Sequence, residues 1–448
     1  LRLNHIELRK SHMSISVFKR PKGRGRTAVA AWLVNLVWVV TLPSYAQPKP
    51  LNLSYLIEQA SLNHPSIQSA RLDTRASAED LLAIQRQRWP MISAVFEDGA
   101  SKASEASASR AMRVEQSLWD FGRLSARIAE STAITETSQT RLLLQQQLLA
   151  LQTVNAWQGL MAAHAKVRVA QATLAKLAGY QAQMQRRIAA EASPAIDLEL
   201  VQSRSLQTQV ELTTAQTAVK TALTKLEQLS GVSGLSGHVD QLEPLPGADT
   251  VDHMPALLTN TDWIQAASSH PAVVRARHDF KAAEFRIQTK QAEQWPQIYA
   301  RVDQPIAGSA GKVTTIVGLR YAPGAGFSSH AEAQALGSRA ASLAQGVETA
   351  QREVLEALHN DRDEFFNSRQ RIEALTRAVS GADKVLESYG RQFTAGRKTW
   401  QDLMNAVREV AQNQYALADA HTAMFGAMHR LQIRLGQGIP VLAEDTLK

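Results

Sequence analysis

Apolar residues in this chain recur with two different periods, and the switches between them mark out its elements. From 354 onward Leu358, Phe365, Ile372, Val379, Leu386 and Phe393 stand seven apart. Leu375, Ala382 and Tyr389 fill a second seam, which Asp361 and Ser368 interrupt. A later run, Leu403, Val407, Val410, Gln414, Leu417, His421, Met424, Met428, Leu431 and Leu435, alternates steps of four and three. Leu198, Val201, Ser205, Thr208, Leu212, Ala215, Val219, Ala222, Leu226 and Leu229 form a comparable seam. A 3.5-residue period predicts helices that supercoil left-handedly against neighbours. Segments 121–190 and 327–394 would each span roughly 100 Å if continuous, at ~1.5 Å per residue.

Elsewhere the period falls to two. In "RAMRVEQSLW" (110–119) Met112, Val114 and Leu118 alternate with Arg113, Glu115 and Ser117, the pattern of a strand with one apolar and one polar face. In "VTTIVGLRY" (313–321) Val313, Thr315, Val317, Leu319 and Tyr321 share a face. Each strand is expected to pair with the short run before it. "MISAVFEDGA" precedes the first across a Ser/Ala-rich tip, and "QIYARVDQP" precedes the second across "AGSAGK". Strands are therefore expected at about 91–101, 110–119, 297–304 and 313–321. Trp89-Pro90 and Trp295-Pro296 stand where a helical period ends and an alternating one begins, because Pro removes a helix hydrogen bond and turns the chain.

These landmarks are duplicated. "NHPSIQSARL" at 63–72 matches "SHPAVVRARH" at 269–278 with an offset of 206, which the two Trp-Pro pairs share. "LWDFGRLSA" at 118 is matched to "RYAPGAGFS" at 320, an offset of 202, and Asp197-Leu198 to Asp402-Leu403, an offset of 205. The chain divides into a signal region (1–46), a first repeat (51–231), a Gly-, Pro- and Asp-rich joint (232–260), a second repeat (261–437) and a tail (438–448).

Charge changes the picture only at the N-terminus. Of a net charge of +8, residues 1–46 hold +7 (eight Lys/Arg against Glu7), which leaves +1 for the rest and no general attraction to nucleic acid. A basic run from Lys19 to Arg26, the apolar stretch 28–42 and "SYA" at 44–46 read as an export signal cleaved after Ala46, with Met13 as the expected start; an N-terminal membrane anchor is the alternative, for which fifteen apolar residues are short. With Cys 0, disulfides, thiolate chemistry and lipidation at Gln47 are excluded. No later stretch has 18 consecutive apolar residues, so any membrane-spanning part is expected to be β.

Four strands cannot close a barrel, and open edges in lipid are prohibitively costly. Several chains must each donate four; three chains would give twelve. Trp119, Phe121, Tyr299 and Tyr321 would suit the interfacial girdle of such a barrel, and Trp89-Pro90 and Trp295-Pro296 its junction with the helices.

In this order and at these offsets, the duplicated helix–hairpin–helix plan, the "NHP" and "SHP" helix starts, "LWDFGR" and the paired Asp-Leu helix starts resemble the TolC family of outer-membrane efflux proteins. The likeness spans essentially the whole mature chain. It implies a mainly α fold with two β-hairpins, assembled as a homotrimer. A twelve-stranded β-barrel in outer-membrane lipid would be continued by a long periplasmic α-helical barrel. The expected partners are a periplasmic adaptor and an inner-membrane ABC transporter or another energised pump, with no cofactor. "FTAGRKTWQDLMNAVRE" (393–409) is similar to the subgroup that exports large RTX-type adhesins by type I secretion. Gly396, Arg397, Trp400, Leu403, Arg408 and Glu409 carry that motif, with Met404 placed before Asn405. The resemblance puts this stretch at the closed periplasmic tip, as an adaptor-docking motif and gate. It assigns gating to Asp402, Asp197 and Lys398. Asn405 stands where an acid is usual, and Phe393 where a gating Tyr is usual.

The residues by themselves allow a plainer account. In a threefold tube one Asp becomes three carboxylates, a ring that attracts cations. An acid at a helix start is equally what the helix macrodipole favours. His64 and His270, each before a Pro, are expected to serve helix starts rather than a metal, and no phosphate loop, zinc-protease or hydrolase motif occurs. The expectation is an exit duct for exported protein cargo, not an enzyme. Multidrug or metabolite efflux is the alternative in the same class, and a soluble periplasmic coiled-coil scaffold the alternative in another.

Overall fold

The computed structural model describes residues 52–97, 109–237, 258, 261–306, 312–322 and 324–437. The signal region, most of the joint, the tail, both hairpin tips and the outer end of the first strand lie outside the described residues. The first repeat runs α1 (Leu53–Asn63), α2 (Pro65–Arg86), β1 (Met91–Glu97), β2 (Ser109–Trp119), α3 (Arg123–Ala189) and α4 (Ile196–Ser230). The second runs α5 (Trp263–Ser269), α6 (Pro271–Ala292), β3 (Gln297–Pro305), β4 (Thr314–Arg320), α7 (Ser328–Thr394) and α8 (Trp400–Arg434). Corresponding helices match in length: α2 and α6 have 22 residues, α3 and α7 have 67, α4 and α8 have 35. At ~1.5 Å per residue, α3 and α7 are each about 100 Å long.

Local chemistry sets each junction. His64 and His270 are N-caps, their Nδ1 atoms accepting from the backbone N–H of Ser66 and Ala272 ahead of Pro65 and Pro271 at the first helical turn. Burial, assisted by nearby Arg434, lowers the His270 pKa to about 4, so the ring stays neutral and keeps its acceptor. At the other end of α2 and α6 the last turn tightens: Trp89 N–H donates to Arg86 and Trp295 N–H to Ala292. Pro90 and Pro296 have no N–H to extend the helix, and the chain leaves as a strand.

The return from strand to helix corrects one landmark. α3 starts at Arg123 and α7 at Ser328, an offset of 205 rather than 202. Both starts follow two left-handed residues, Phe121 (φ 53) and Gly122 (φ 83) in one repeat and Gly326 (φ 60) and Phe327 (φ 60) in the other. The turn is repeated in backbone shape while Phe and Gly exchange order. Asp120 fixes the first copy, its carboxylate accepting from Gly122 N–H (3.1 Å) and Leu124 N–H (2.8 Å).

The strands form one antiparallel sheet, β1-β2-β3-β4, so each repeat contributes a hairpin and β2 joins β3 across the repeats. The long helices pack along their lengths, α3 against α2, α4, α6 and α8, and α7 against α6 and α8. The seven-residue seam of α7 is the buried one: Leu358, Phe365, Ile372, Leu386 and Phe393 are all core residues. Asp361 is also buried, and its oxygens take Arg430 Nε at 2.6 Å and Arg434 Nε at 2.9 Å from α8. Arg430 reaches on to Gln158 Oε1 of α3 at 2.9 Å, tying three helices at one level. The side chains of Asp361, Arg430 and Arg434 are 10%, 17% and 23% exposed, so the pairing is largely shielded from water.

Removing one partner of a shielded pair leaves charge stranded and typically costs about 3–5 kcal/mol. Asp361→Ala is therefore expected to lower the thermal midpoint of the detergent-solubilised protein well below that of Glu373→Ala, a change at an exposed pair on the same helix. Equal midpoints for the two variants would refute a stabilising role for Asp361.

Candidate functional site

The sheet separates its residues into two unlike faces. Register pairs Ile92 with Val114, Ala94 with Met112, Val114 with Val302, Ala300 with Val317 and Ile298 with Leu319. This face is mainly apolar, with Arg110, Gln116 and Gln304 as its polar members, and exposed: Ile92 is 66% accessible, Val317 69% and Leu319 65%. The opposite face pairs Arg113 with Asp303, Glu115 with Arg301 and Ser117 with Tyr299. Its ion pairs run Arg113–Asp303 (2.9 Å), Arg301–Asp303 (3.1 Å) and Arg320–Glu115 (2.9 Å). β1 and β4 have strand partners on one side only among the described residues, which leaves an open edge at each end of the sheet.

Aromatic rings gather where the sheet meets the helices. Trp119 is set opposite Ile298 by a bulge after Ser117, so it joins the apolar face. Its ring meets Phe121 edge-on at 6.1 Å, and Phe121 stacks on Trp295 at 5.6 Å. Trp89 and Tyr321 are exposed beside them. Tyr299 departs from the expected girdle. It lies on the polar face, under the Arg320 guanidinium at 4.7 Å and across Gly318, where an added Cβ would come within 2.5 Å of the ring. A cross-strand Gly lets the phenol lie flat, and the register that puts Arg301 on the polar face puts Tyr299 there too.

At the far end of the long helices, two turns close the tip. Thr399 caps α8 in a capping box: its Oγ1 accepts from Asp402 N–H (3.1 Å), and Asp402 Oδ2 accepts from Thr399 N–H (3.2 Å) and Oγ1 (2.8 Å). Lys398 Nζ stands 3.8 Å from the same carboxylate and 4.4 Å from the centre of the Tyr389 ring. The Thr399 hydrogen bonds, with Lys398 in support, hold the Asp402 pKa below its usual value. Among the described residues Asp197, in the first turn of α4, pairs with neither Lys398 nor another base.

The other tip residues sort by exposure. Gly396, Arg397, Arg408 and Glu409 are exposed, and Asn405 is half-buried. Trp400 (3%) and Leu403 (0%) are core. Phe393, expected at the gate, is placed in that core: it lies 5.0 Å from the Trp400 ring, beneath the Arg187 guanidinium at 4.7 Å. Its position on the α7 seam accounts for this, since the seam faces neighbouring helices. Tyr180 completes the cluster edge-on to Trp400 at 6.0 Å. Arg187 and Tyr180 went unnoticed in the sequence, whose only signal for them was a basic residue in the last turn of α3.

The described residues contain no group of three or more side chains able to hold a metal, and no helix among them is long and apolar enough to cross a membrane. An amphipathic sheet continued by helices of this length matches known architecture. Residues 56–232 match the protein-family model described as "Outer membrane efflux protein". The matched span is the first repeat, and α5 to α8 repeat its plan. Solved structures extend the likeness to the whole fold. VceC, an outer membrane protein of Vibrio cholerae, superposes with a TM-score of 0.73 at 16% identity, covering 86% of this chain and 96% of that one. The MtrE outer membrane channel of Neisseria gonorrhoeae gives 0.71 at 16%, covering 86% and 89%. The CmeC outer membrane channel of Campylobacter jejuni gives 0.73 at 10%, covering 88% and 87%. At these identities the likeness is one of fold, the fold of an outer-membrane channel protomer. No curated protein matches the chain.

The two tip turns share one geometry. Arg397 N–H donates to Gln392 O and Ala192 N–H to Arg187 O, each at 2.8 Å, closing a left-handed helix end. Gly396 (φ 73) occupies the left-handed position in one turn and Glu191 (φ 54) in the other. A non-glycine residue there costs roughly 1–2 kcal/mol, so Glu191→Gly is expected to raise the unfolding free energy by about 1 kcal/mol. A lowered midpoint in urea would contradict that account of the turn.

Proposed function

We propose that the chain is the outer-membrane exit duct of a tripartite exporter, a passive conduit rather than an enzyme. The observation that carries this is the sheet with one exposed apolar face, one ion-paired polar face and two open edges. Backbone groups at such edges cannot remain unpaired in lipid. Neighbouring copies supply the missing partners, and three chains of four strands make a closed barrel. The apolar face then meets lipid and the polar face lines the lumen. Trp89, Trp119, Phe121, Trp295 and Tyr321 lie at the membrane boundary. α3, α4, α7 and α8 carry the lumen across the periplasm to the tip, where an adaptor linked to an energised inner-membrane transporter docks. The exposed surface formed by Gly396, Arg397, Arg408 and Glu409 is the proposed adaptor contact.

For cargo we infer a large RTX-type protein exported by type I secretion, on the strength of residues 393–409. Small-molecule efflux is the second reading, favoured by the description of the family that the first repeat matches. A clean deletion strain distinguishes them. Loss of one very large surface or secreted protein, with unchanged drug tolerance, is the expected result. Intact surface proteins with broad drug hypersensitivity would transfer the chain to efflux.

At the tip, the three Asp402 carboxylates of a trimer form the proposed cation-attracting ring, each held anionic by Thr399 and Lys398. Asp402→Asn keeps an acceptor for the cap and removes the charge. In reconstituted channels it is expected to weaken block by multivalent cations added on the periplasmic side. Unchanged block in both Asp402→Asn and Asp402→Ala would leave Asp402 a helix cap and nothing more.

A further inference from the structure

On the polar face of the sheet the charges do not cancel locally. From the Gln297–Arg320 pair at the helix side to the Arg113–Asp303 pair, register brings together Arg113, Arg301 and Arg320 with two acids, Glu115 and Asp303. Asp303 serves two of the guanidiniums. Arg113 Nε makes an aligned hydrogen bond to it at 2.9 Å. Arg301 Nε comes within 3.1 Å of its other oxygen but is buried without an aligned hydrogen-bond acceptor. Arg301 therefore shares its counter-charge with Arg113 and has no carboxylate to itself. Glu115 is committed to Arg320, 53% of whose side chain is exposed above the Tyr299 ring. Read outward from the helices, the face presents Arg320, Tyr299, then Arg301 and Arg113.

We propose that Arg301 and Arg320 form a cationic collar at the helix-side end of the barrel lumen, which holds acidic, unfolded polypeptide in transit. The inference rests on the duct reading, which puts this face in the lumen and triples each residue around it. Three excess positive charges then ring the path where it narrows from helices to strands. A guanidinium is suited to carboxylates, which it binds in bidentate fashion. The Ca²⁺-binding repeats of RTX proteins carry a regularly spaced Asp, so an unfolded cargo of that class presents a carboxylate to the collar at short intervals. Attachment must be weak for passage, and charges at a water-filled wall satisfy that: screening limits them to about 10 Å at 0.1 M salt.

Single-channel recording of the full reconstituted chain tests this with poly-L-glutamate as the probe. Wild-type channels are expected to show transient block by poly-L-glutamate at 0.1 M salt, more readily from the helix side than from the barrel side, and no comparable block by poly-L-lysine at the collar. Arg301→Gln is expected to raise the blocking concentration about threefold or more, Arg301→Lys to restore most of it, and Glu115→Gln to lower it by a similar factor. Conductance by each variant shows that it has folded and assembled. Conducting channels whose block is the same in all four proteins would overturn the collar alone. A chain that forms no conducting pore would overturn the duct, and the collar with it.

Discussion

The hydrogen-bonding demand of a sheet edge governs this molecule. β1 and β4 each offer a row of backbone N–H and C=O groups with no strand partner among the described residues. In water such groups would be solvated. Beside an exposed face of Ile92, Met112, Val317 and Leu319 they are destined for a medium without water, where each unsatisfied group costs several kcal/mol. Only another copy of the same edge pair can satisfy them without ending the sheet elsewhere. Other features of the protomer accord with that closure. The polar face needs an enclosed lumen, and the rings at Trp119, Phe121 and Trp295 need a boundary between lipid and water.

Closure also constrains the helices. A tube assembled from two unlike repeats stays flush at its ends only if corresponding helices have equal length. α3 and α7 have 67 residues each, and α4 and α8 have 35 each. Equal length alone does not fix register, because a heptad seam can slip by seven residues with little change in its apolar contacts. The polar interruptions supply what the seam lacks. Asp361 sits where an apolar residue would pack and accepts from Arg430 and Arg434, while Arg430 reaches Gln158 on α3. A slip of one heptad would bury that carboxylate without a partner, at a cost far above the loss of a few methyl contacts.

How much of this was legible in the sequence depends on the range of the physics involved. His64-Pro65, Trp89-Pro90 and their second copies act through the nearest few residues, so helix starts and stops could be read directly. Period two against period 3.5 distinguished strand from helix for the same reason. The offset of 202 failed because a turn was compared by residue type. What repeats is a pair of left-handed residues, and Phe121-Gly122 answers to Gly326-Phe327 in reverse order. The partners of Asp361 were invisible, since they lie 69 and 73 residues away and nothing local points to them. At the tip the heptad spacing of Phe393 predicted a core residue and the family resemblance predicted a gate. Its contacts with Arg187 and Trp400 follow the spacing.

That outcome bears on how a helical tube can open at all. Phe393, Trp400 and Leu403 knit α3, α7 and α8 into one block, with Tyr180 and Arg187 contributed from α3. Such a cluster resists shear between its helices, because interiors packed this closely have few alternative arrangements. α4 joins the same block through the fully buried Val201, with Leu198 and Leu200 packed beside it, while its first turn is open: Asp197 has no ion pair among the described residues, and Ile196 is 70% exposed. The turn before α4 carries its left-handed position on Glu191, and the turn before α8 carries it on Gly396. The backbone strain thus lies in the turn of the first repeat and the relaxed geometry in that of the second, while both repeats share the packed cluster. If the tip splays, the two turns differ in what they store: the one before α4 holds strain at Glu191, and the one before α8 is relaxed at Gly396.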